Sequence, residues 1–208
     1  MNIDDISMRP DGLALCADAA AIILAGGTSQ RMKRDKSMLS IDGKPMVAHI
    51  HDQLTPHFKQ TLISANDVEK YAFLGAQVVP DNIPGCGPLM GITSALAVSE
   101  QDLNFVTACD MPEVNMMLLQ YMLRESEGYD AVIPIAEGQV EPLFGLYRKS
   151  VIDRFEAILA QGKRRIRDAL ATCNTRYIDV ADTQALKNLN TPEDYTRFVA
   201  GEHDGQDN

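Results

Sequence analysis

Short apolar runs alternate along this chain with stretches whose apolar residues recur every three or four positions, and the two patterns predict different elements. Runs near 20–25, 60–64, 76–79, 104–109, 130–135, 142–148 and 175–180 read as strands. Stretches near 45–57, 67–74, 88–99, 113–126, 150–161, 164–171 and 192–200 read as amphipathic helices. Alternation of this kind predicts an α/β fold in three layers, a mostly parallel sheet with helices on both faces. Such sheets take their ligands outside the carboxyl ends of the strands, and each chemically promising loop here follows a strand. Residues 1–18 are polar and aperiodic and read as a loosely ordered extension, while 201–208 form an acidic tail expected to fray. Between them, 19–200 reads as a single domain.

A chain of 208 residues suits that architecture, and a 45% apolar, 23% charged composition is that of a soluble globular protein. The net charge of −10 narrows the choice of partner. Proteins that track DNA or RNA present a basic face. Here the cations gather in two short runs, Arg31 to Lys36 and Lys163 to Arg167, a distribution suited to local capture of a small anion. Nucleic acid is therefore not expected as a substrate. Cys16, Cys86, Cys109 and Cys173 form no C-x-x-C pair, and His49, His51, His57 and His203 show no zinc spacing. No apolar stretch approaches the ~20 residues of a membrane span, so no membrane partner is expected. Acids precede any apolar core at the start of the chain, which is not a signal-peptide pattern, and the cytoplasm is the expected compartment.

The first strand breaks into Leu24-Ala25-Gly26-Gly27 and then into Arg31, Lys33, Arg34 and Lys36. Glycines after a buried strand let bare backbone amides approach an anion, and Arg31 and Lys36 can neutralise it. The target this suggests is a nucleoside triphosphate. Neither G-x-x-x-x-G-K-[ST] nor a G-x-G-x-x-G after this strand is present, which sets aside the two commonest phosphate loops. From Leu24 to Lys36 the stretch resembles the signature L-A-G-G-x-S-x-R-M-G-x-D-K of the molybdenum cofactor guanylyltransferases. It departs at Lys33, where the family usually has glycine, a change that stiffens the loop or adds a cation. The resemblance runs on through ordered motifs over roughly residues 20–199. It implies a Rossmann-like, nucleotide-diphosphosugar-transferase-like version of the three-layer fold.

Several other strand ends carry candidate chemistry. Asp110 emerges after Asn104–Cys109 in a C-D-x-P segment that matches the family's metal-binding aspartate. A carboxylate beside a triphosphate needs a divalent cation between them, and Mg2+ takes both kinds of oxygen. The competing reading makes Asp110 a helix N-cap, with Pro112 at the helix start. Asp81 opens a loop to Gly91 resembling the family's D-x-x-x-x-x-G-P-L-x-G segment, which frames the nucleotide; the plainer reading is a tight connection with Gly91 packed on the sheet. Ser64 stands where the family has its nucleotide-binding asparagine. A hydroxyl still donates and accepts over a shorter reach, and Asn66 is placed to share the contact. Asn188 and Asn190 precede Thr191-Pro192-Glu193-Asp194 and resemble the family's N-x-N-T-P-E. Thr191 reads as an N-cap with Pro192 at the first helical position, and the two asparagines, alternating on an extended segment, would project to one side. In Pro142-Leu143-Phe144-Gly145-Leu146-Tyr147 the family's P-L-x-G-L-Y strand is matched, and Leu143 and Leu146 read as core. The run Gly162 to Arg167 reads by default as a solvated helix start and, through the resemblance, as a candidate dock for a pterin phosphate.

What the resemblance implies is transfer of GMP from GTP to the phosphate of Mo-molybdopterin, with release of pyrophosphate. Arg31, Lys36 and Asp110 would be catalytic, with Asp110 holding Mg2+. Leu24, Ala25, Gly26, Gly27, Lys36, Ser64, Asp81 and Asp110 would bind nucleotide, and Asn188 and Asn190 the second substrate. Implied partners are proteins that supply molybdopterin or deliver the product to molybdoenzymes. Two rivals remain at this point. One is a cytidylyl- or sugar-phosphate nucleotidylyltransferase of the same fold, the cytidylyl relatives tending to Leu-Ala-Ala-Gly. The other is a non-catalytic cofactor-binding adaptor, against which Arg31, Lys36 and Asp110 together argue.

Overall fold

The computed structural model of the protein describes residues 18–26, 35–181 and 186–201. The expected N-terminal extension up to residue 17 and the tail from 202 lie outside the described residues. Strand β1 (Ala19–Leu24) is apolar and buried throughout, as a strand covered on both faces must be. After a 3-10 turn (Lys36–Met38) come the short strands β2 (Ser40–Ile41) and β3 (Lys44–Pro45), then α1 (Met46–Leu54), β4 (Gln60–Ser64) and α2 (Val68–Tyr71). Next are β5 (Gln77–Val79), α3 (Pro88–Val98), β6 (Leu103–Ala108), α4 (Met116–Arg124) and β7 (Ala131–Ala136). The chain ends with β8 (Gln139–Val140), β9 (Phe144–Arg148), α5 (Ile152–Ala160), α6 (Ile166–Leu170), β10 (Thr175–Val180) and α7 (Pro192–Val199). Each predicted strand and helix has its counterpart within a few residues.

The main sheet runs β10-β7-β9-β6-β1-β4-β5, with β8 added to β7. Pairings β1/β4, β1/β6, β4/β5 and β7/β10 are parallel. The exception is β9, which lies antiparallel between β6 and β7. Pattern predicts that strand but not its direction, so "mostly parallel" stands with one reversed strand inside it. The hairpin β2/β3 was not expected. Its turn uses Asp42 at φ 48 and Gly43 at φ 80, the Asp-Gly chemistry of a tight hairpin turn.

Alternate residues of β1 feed two cores. Ala19, Ala21 and Ile23 pack with α1 and α4 through Met46, Val47, Ile50, Leu54, Leu118 and Met122. Ile22 and Leu24 pack on the other face with α3, α5 and α6 through Leu89, Ile92, Leu96, Phe155 and Ile166. Each fully buried Ile or Leu contributes about 1.5–3 kcal/mol, so the three layers are held mainly by these two clusters. Within β9, Gly145 is required by packing, since a Cβ there would lie 2.6 Å from Ile133 Cδ1 and 2.9 Å from Tyr147 Cε2.

From β1 the chain steps outward through β4 to β5 and then crosses to β6 on the opposite side of β1. The carboxyl end of β1 is therefore the topological switch point, where loops diverge and leave a crevice. That places the candidate site.

Candidate functional site

Three strand ends are knitted together at this switch point. Ala25 N and Gly26 N both donate to Ser64 O, at 3.0 and 3.2 Å, and Cys109 N donates to Leu24 O at 3.0 Å. This corrects one expectation about the loop stem. The N–H groups of Ala25 and Gly26 are committed to β4, so residues 24–26 offer a ligand a surface and not anion-binding donors. Gly27 and Arg31 lie outside the described residues.

On the β6 side, Asp35 caps the 3-10 turn by accepting from Ser37 N at 3.1 Å, which fixes the turn that carries Lys36. Lys36 Nζ then donates to Asp110 Oδ2 and to Asn190 Oδ1, both at 3.2 Å. Residues 36, 110 and 190 thus converge from three remote segments. Asp110 is not the cap of α4: that helix begins at Met116, and its N-cap Asn115 accepts from Leu118 N. Asp110 instead follows β6 directly, and its carbonyl accepts from Leu189 N at 2.8 Å. Leu189 is buried, so the backbone bond and its side chain together press the C-terminal segment against the end of β6. Thr191, Pro192 and Asp194 form the expected capping box of α7, and Asp194 Oδ2 also accepts from Asn190 N at 3.0 Å. Burial would raise the Asp194 carboxyl, but hydrogen bonds from Thr191 and Asn190 outweigh it and hold the group below its ordinary range.

The two asparagines part company. Residues 187–190 form no strand, and Asn190 reaches Lys36 while Asn188 is not brought to it. Side chains of Lys36 and Asp110 are 13% and 24% exposed, enough for both to meet a ligand. Among the described residues Asp110 Oδ1 has no hydrogen-bond partner, and no group of three or more His, Cys, Asp or Glu gathers there. A lone carboxylate with a free oxygen suits Mg2+, which binds through one or two carboxylates plus substrate phosphates and not in an all-protein cage. Beside it, burial pushes the Cys109 thiol up to about 12, with Asp110 and Asp35 adding to the effect, so it is no nucleophile at neutral pH.

On the β4/β5 side, Asn66 and Asp81 bond reciprocally: Asn66 Nδ2 donates to Asp81 Oδ2 at 3.1 Å and Asp81 N to Asn66 Oδ1 at 2.8 Å. Gly91, in the first turn of α3, lets that helix approach. A Cβ there would sit 2.7 Å from Ser64 Oγ and 3.4 Å from Asp81 Oδ1. Ser64, Asp81 and Gly91 therefore share one corner, and the plainer reading of the 81–91 loop, with Gly91 packed on the sheet, holds. Asn66 is tied to Asp81 and not to Ser64.

Sequence reasoning missed a third cluster. Lys70 and Tyr71, on α2, join Asp35, Ser37 and the Ala25 carbonyl in one hydrogen-bonded group. Adjacent lysine and tyrosine on the short helix that follows β4 were the available signal. The basic run at 163–167 also touches the ligand edge: Arg164 Nη1 donates to Gly85 O at 2.9 Å and Arg167 Nη2 to Val140 O at 3.4 Å. Burial raises the Glu141 carboxyl, an effect that Arg167 partly offsets.

Residues 21–176 match the family described as the MobA-like NTP transferase domain. The chain is 34% identical over 184 residues to a probable molybdenum cofactor guanylyltransferase of Carboxydothermus hydrogenoformans, covering 85% of this chain and 93% of that one. It is 35% identical over 185 residues to the molybdenum cofactor guanylyltransferase of Shewanella putrefaciens, covering 86% and 95%. Among solved structures, the molybdopterin-guanine dinucleotide biosynthesis protein A of Archaeoglobus fulgidus superposes with a TM-score of 0.74 at 27% identity, over 88% of this chain and all of that one. CMP:2-keto-3-deoxy-manno-octonic acid synthetase shares the fold, with a TM-score of 0.71 at 14% identity, over 88% and 98%. With the switch-point crevice, the convergent Lys36 and Asp110, and relatives matched over most of their length, the chain belongs to the MobA-like nucleotidyltransferases, among the molybdenum cofactor guanylyltransferases.

Proposed function

We propose that the switch-point crevice binds GTP and Mo-molybdopterin side by side and transfers GMP between them. An oxygen of the pterin phosphate attacks the α-phosphorus of GTP; that P–O bond forms as the bond to the β-phosphate oxygen breaks, and pyrophosphate leaves. No covalent enzyme intermediate is needed, so catalysis rests on alignment and on stabilising charge. The observation that carries this reading is the meeting of Lys36, Asp110 and Asn190 at the end of β6. Two of the three Lys36 ammonium protons are used by Asp110 and Asn190 among the described residues, which aims the cation while leaving a donor for phosphate. Asp110 Oδ1 would hold Mg2+, which when bound neutralises phosphate charge and aids departure of pyrophosphate. Asn190 would steady Lys36 at the junction of the two substrates. Arg31 and Gly27, which lie outside the described residues, would meet the phosphates as the family motif implies.

Guanine presents an N1–H and an exocyclic amine, donors that need acceptors held in place. Ser64, beside which Gly91 leaves room, and Asp81, held by Asn66, would supply such acceptors at the ends of β4 and β5. The exposed cations of the 163–167 run lie on the same edge and suit the pterin phosphate. Proteins that supply molybdopterin or receive the product, and a cytoplasmic setting where GTP is at hand, complete the reading. Pyrophosphate release measured with each of the four nucleoside triphosphates and Mo-molybdopterin tests it. GTP alone is expected to turn over at a high rate; preference for CTP would overturn the guanylyl assignment and keep the fold-level one.

Base choice has its own test at Gly26. Its φ is not left-handed, and an added Cβ would meet Ala65 Cα and Ser64 O at 3.7 Å, ordinary contact distance. Gly26→Ala should therefore fold with an unchanged Tm, which removes backbone strain as an explanation of any effect. The methyl would sit at the end of β4 beside Ser64, and one methyl in a tight pocket typically changes discrimination by about 1–3 kcal/mol. GTP turnover is expected to fall roughly 10- to 200-fold, with CTP turnover not falling in parallel. Equal losses for both nucleotides would show that Gly26 does not choose the base.

A further inference from the structure

The cluster around Lys70 stands apart from Asp110 and Asn190, yet it joins the end of β1 to the turn that carries Lys36. Tyr71 is 2% exposed and donates its one hydroxyl proton to Ala25 O at 2.9 Å, an atom that can only accept. Its oxygen lies 2.9 Å from Ser37 Oγ, and Ser37, 1% exposed, donates to Asp35 Oδ1 at 2.6 Å. Lys70 Nζ sits among all three, ion-paired with Asp35 and donating to Tyr71 Oη at 3.0 Å and Ser37 Oγ at 3.3 Å. An ammonium has three protons, and here each has a protein acceptor. Lys70 is thus a spoken-for cation, unlike Lys36.

What these bonds connect gives the cluster its meaning. Ala25 ends the stem of β1, and Asp35 and Ser37 are the two chain neighbours of Lys36, whose own side chain is bonded to Asp110 and Asn190. A phenylalanine at 71 would fill the same space in the apolar cluster that includes Ile23 and Val47. A buried polar group is costly unless fully paired, and when paired it specifies one arrangement in place of several. The balance at Asp35 agrees: burial would raise its carboxyl, but Lys70 and Ser37 hold it below its ordinary range.

We propose that Lys70 and Tyr71 are positioning residues for the phosphate end of the nucleotide site, locking the Lys36 turn to the end of β1 so that Lys36 meets a triphosphate preorganised. The proposal builds on the nucleotidyltransferase reading of this crevice. It does not depend on which base is bound.

The test uses the full chain with MgCl2. Wild-type affinity for each nucleoside triphosphate is measured first, which settles base choice independently. The preferred triphosphate and its bare nucleoside are then titrated into Tyr71→Phe, Ser37→Ala and the double variant, well below each Tm. Losing one link is expected to weaken triphosphate binding roughly 3- to 10-fold and leave the nucleoside within about twofold. Because the two side chains share one network, the double variant should lose little more than the worse single one. Parallel weakening of both ligands, or unchanged triphosphate affinity with only a lowered Tm, would show that the cluster merely supports the fold. Either single variant is sufficient to decide, should the other fail to fold.

Discussion

Replacing Asp110 by alanine is expected to lower turnover roughly a thousandfold or more while moving Tm by only a few degrees. The first half follows from where the carboxylate stands. It leaves β6 at the switch point with Oδ1 unpartnered among the described residues and Oδ2 on Lys36, so its loss removes the proposed Mg2+ ligand and the group that aims Lys36. The second half follows from what it does not do. It caps no helix, since Asn115 caps α4, and its bond to Leu189 is made by a carbonyl that alanine retains. The remaining structural loss is a partly exposed ion pair, worth about 1 kcal/mol at most. Asp110→Asn, which keeps the shape and loses the charge, should be nearly as inactive as alanine. Turnover assayed beside thermal melting checks both halves, and near-normal turnover in either variant would remove the metal assignment.

How far the sequence alone reached depends on what kind of physics each feature obeys. Local pattern carried the elements: Ala19–Leu24 is apolar at consecutive positions and is buried on both faces, and Thr191, Pro192 and Asp194 cap α7 as their identities dictate. Strand direction is not local. Nothing in Phe144–Arg148 distinguishes a parallel from an antiparallel strand, because only the partners β6 and β7 decide it. The Asp42-Gly43 turn was readable in principle, but its flanking strands are two residues each, too short for alternation to show.

The site was legible in the same uneven way. Lys36 and Asp110 were marked by motif, and the fold brings them into contact at the end of β6. Asn188 and Asn190 were indistinguishable until Leu189 was seen to dock on the Asp110 carbonyl, which sets the register that brings Asn190 to Lys36. Backbone amides at Ala25 and Gly26 looked available because sequence shows that a strand ends and not what its last N–H groups bond to. Lys70 and Tyr71 lie 35 and 36 residues beyond Asp35, and no spacing rule links a helix residue to a loop anchor across three strands and a helix.

Lys36→Ala is the second variant with a large expected effect, and its value lies in which ligand it spares. Its side-chain nitrogen is held by a carboxylate and an amide oxygen that leave it a donor for a substrate. Charge-assisted hydrogen bonds contribute about 1.5–3 kcal/mol, and removing a donor aimed at developing charge costs roughly 10²–10³ in rate. GTP turnover should fall within that range. Guanosine, which has no phosphate, should bind as before, provided that Asp35 and Ser37 hold the turn without the Lys36 side chain. Both accept from Lys70, so the turn should persist. Equal losses for GTP and guanosine would mean that Lys36 shapes the crevice and does not grip phosphate. The pair with Asp110 sharpens the point. If the two residues act as one unit, Lys36→Ala in an Asp110→Ala background should cost far less than in the wild type. Additive losses would place them in separate steps, with the contact between them incidental to catalysis.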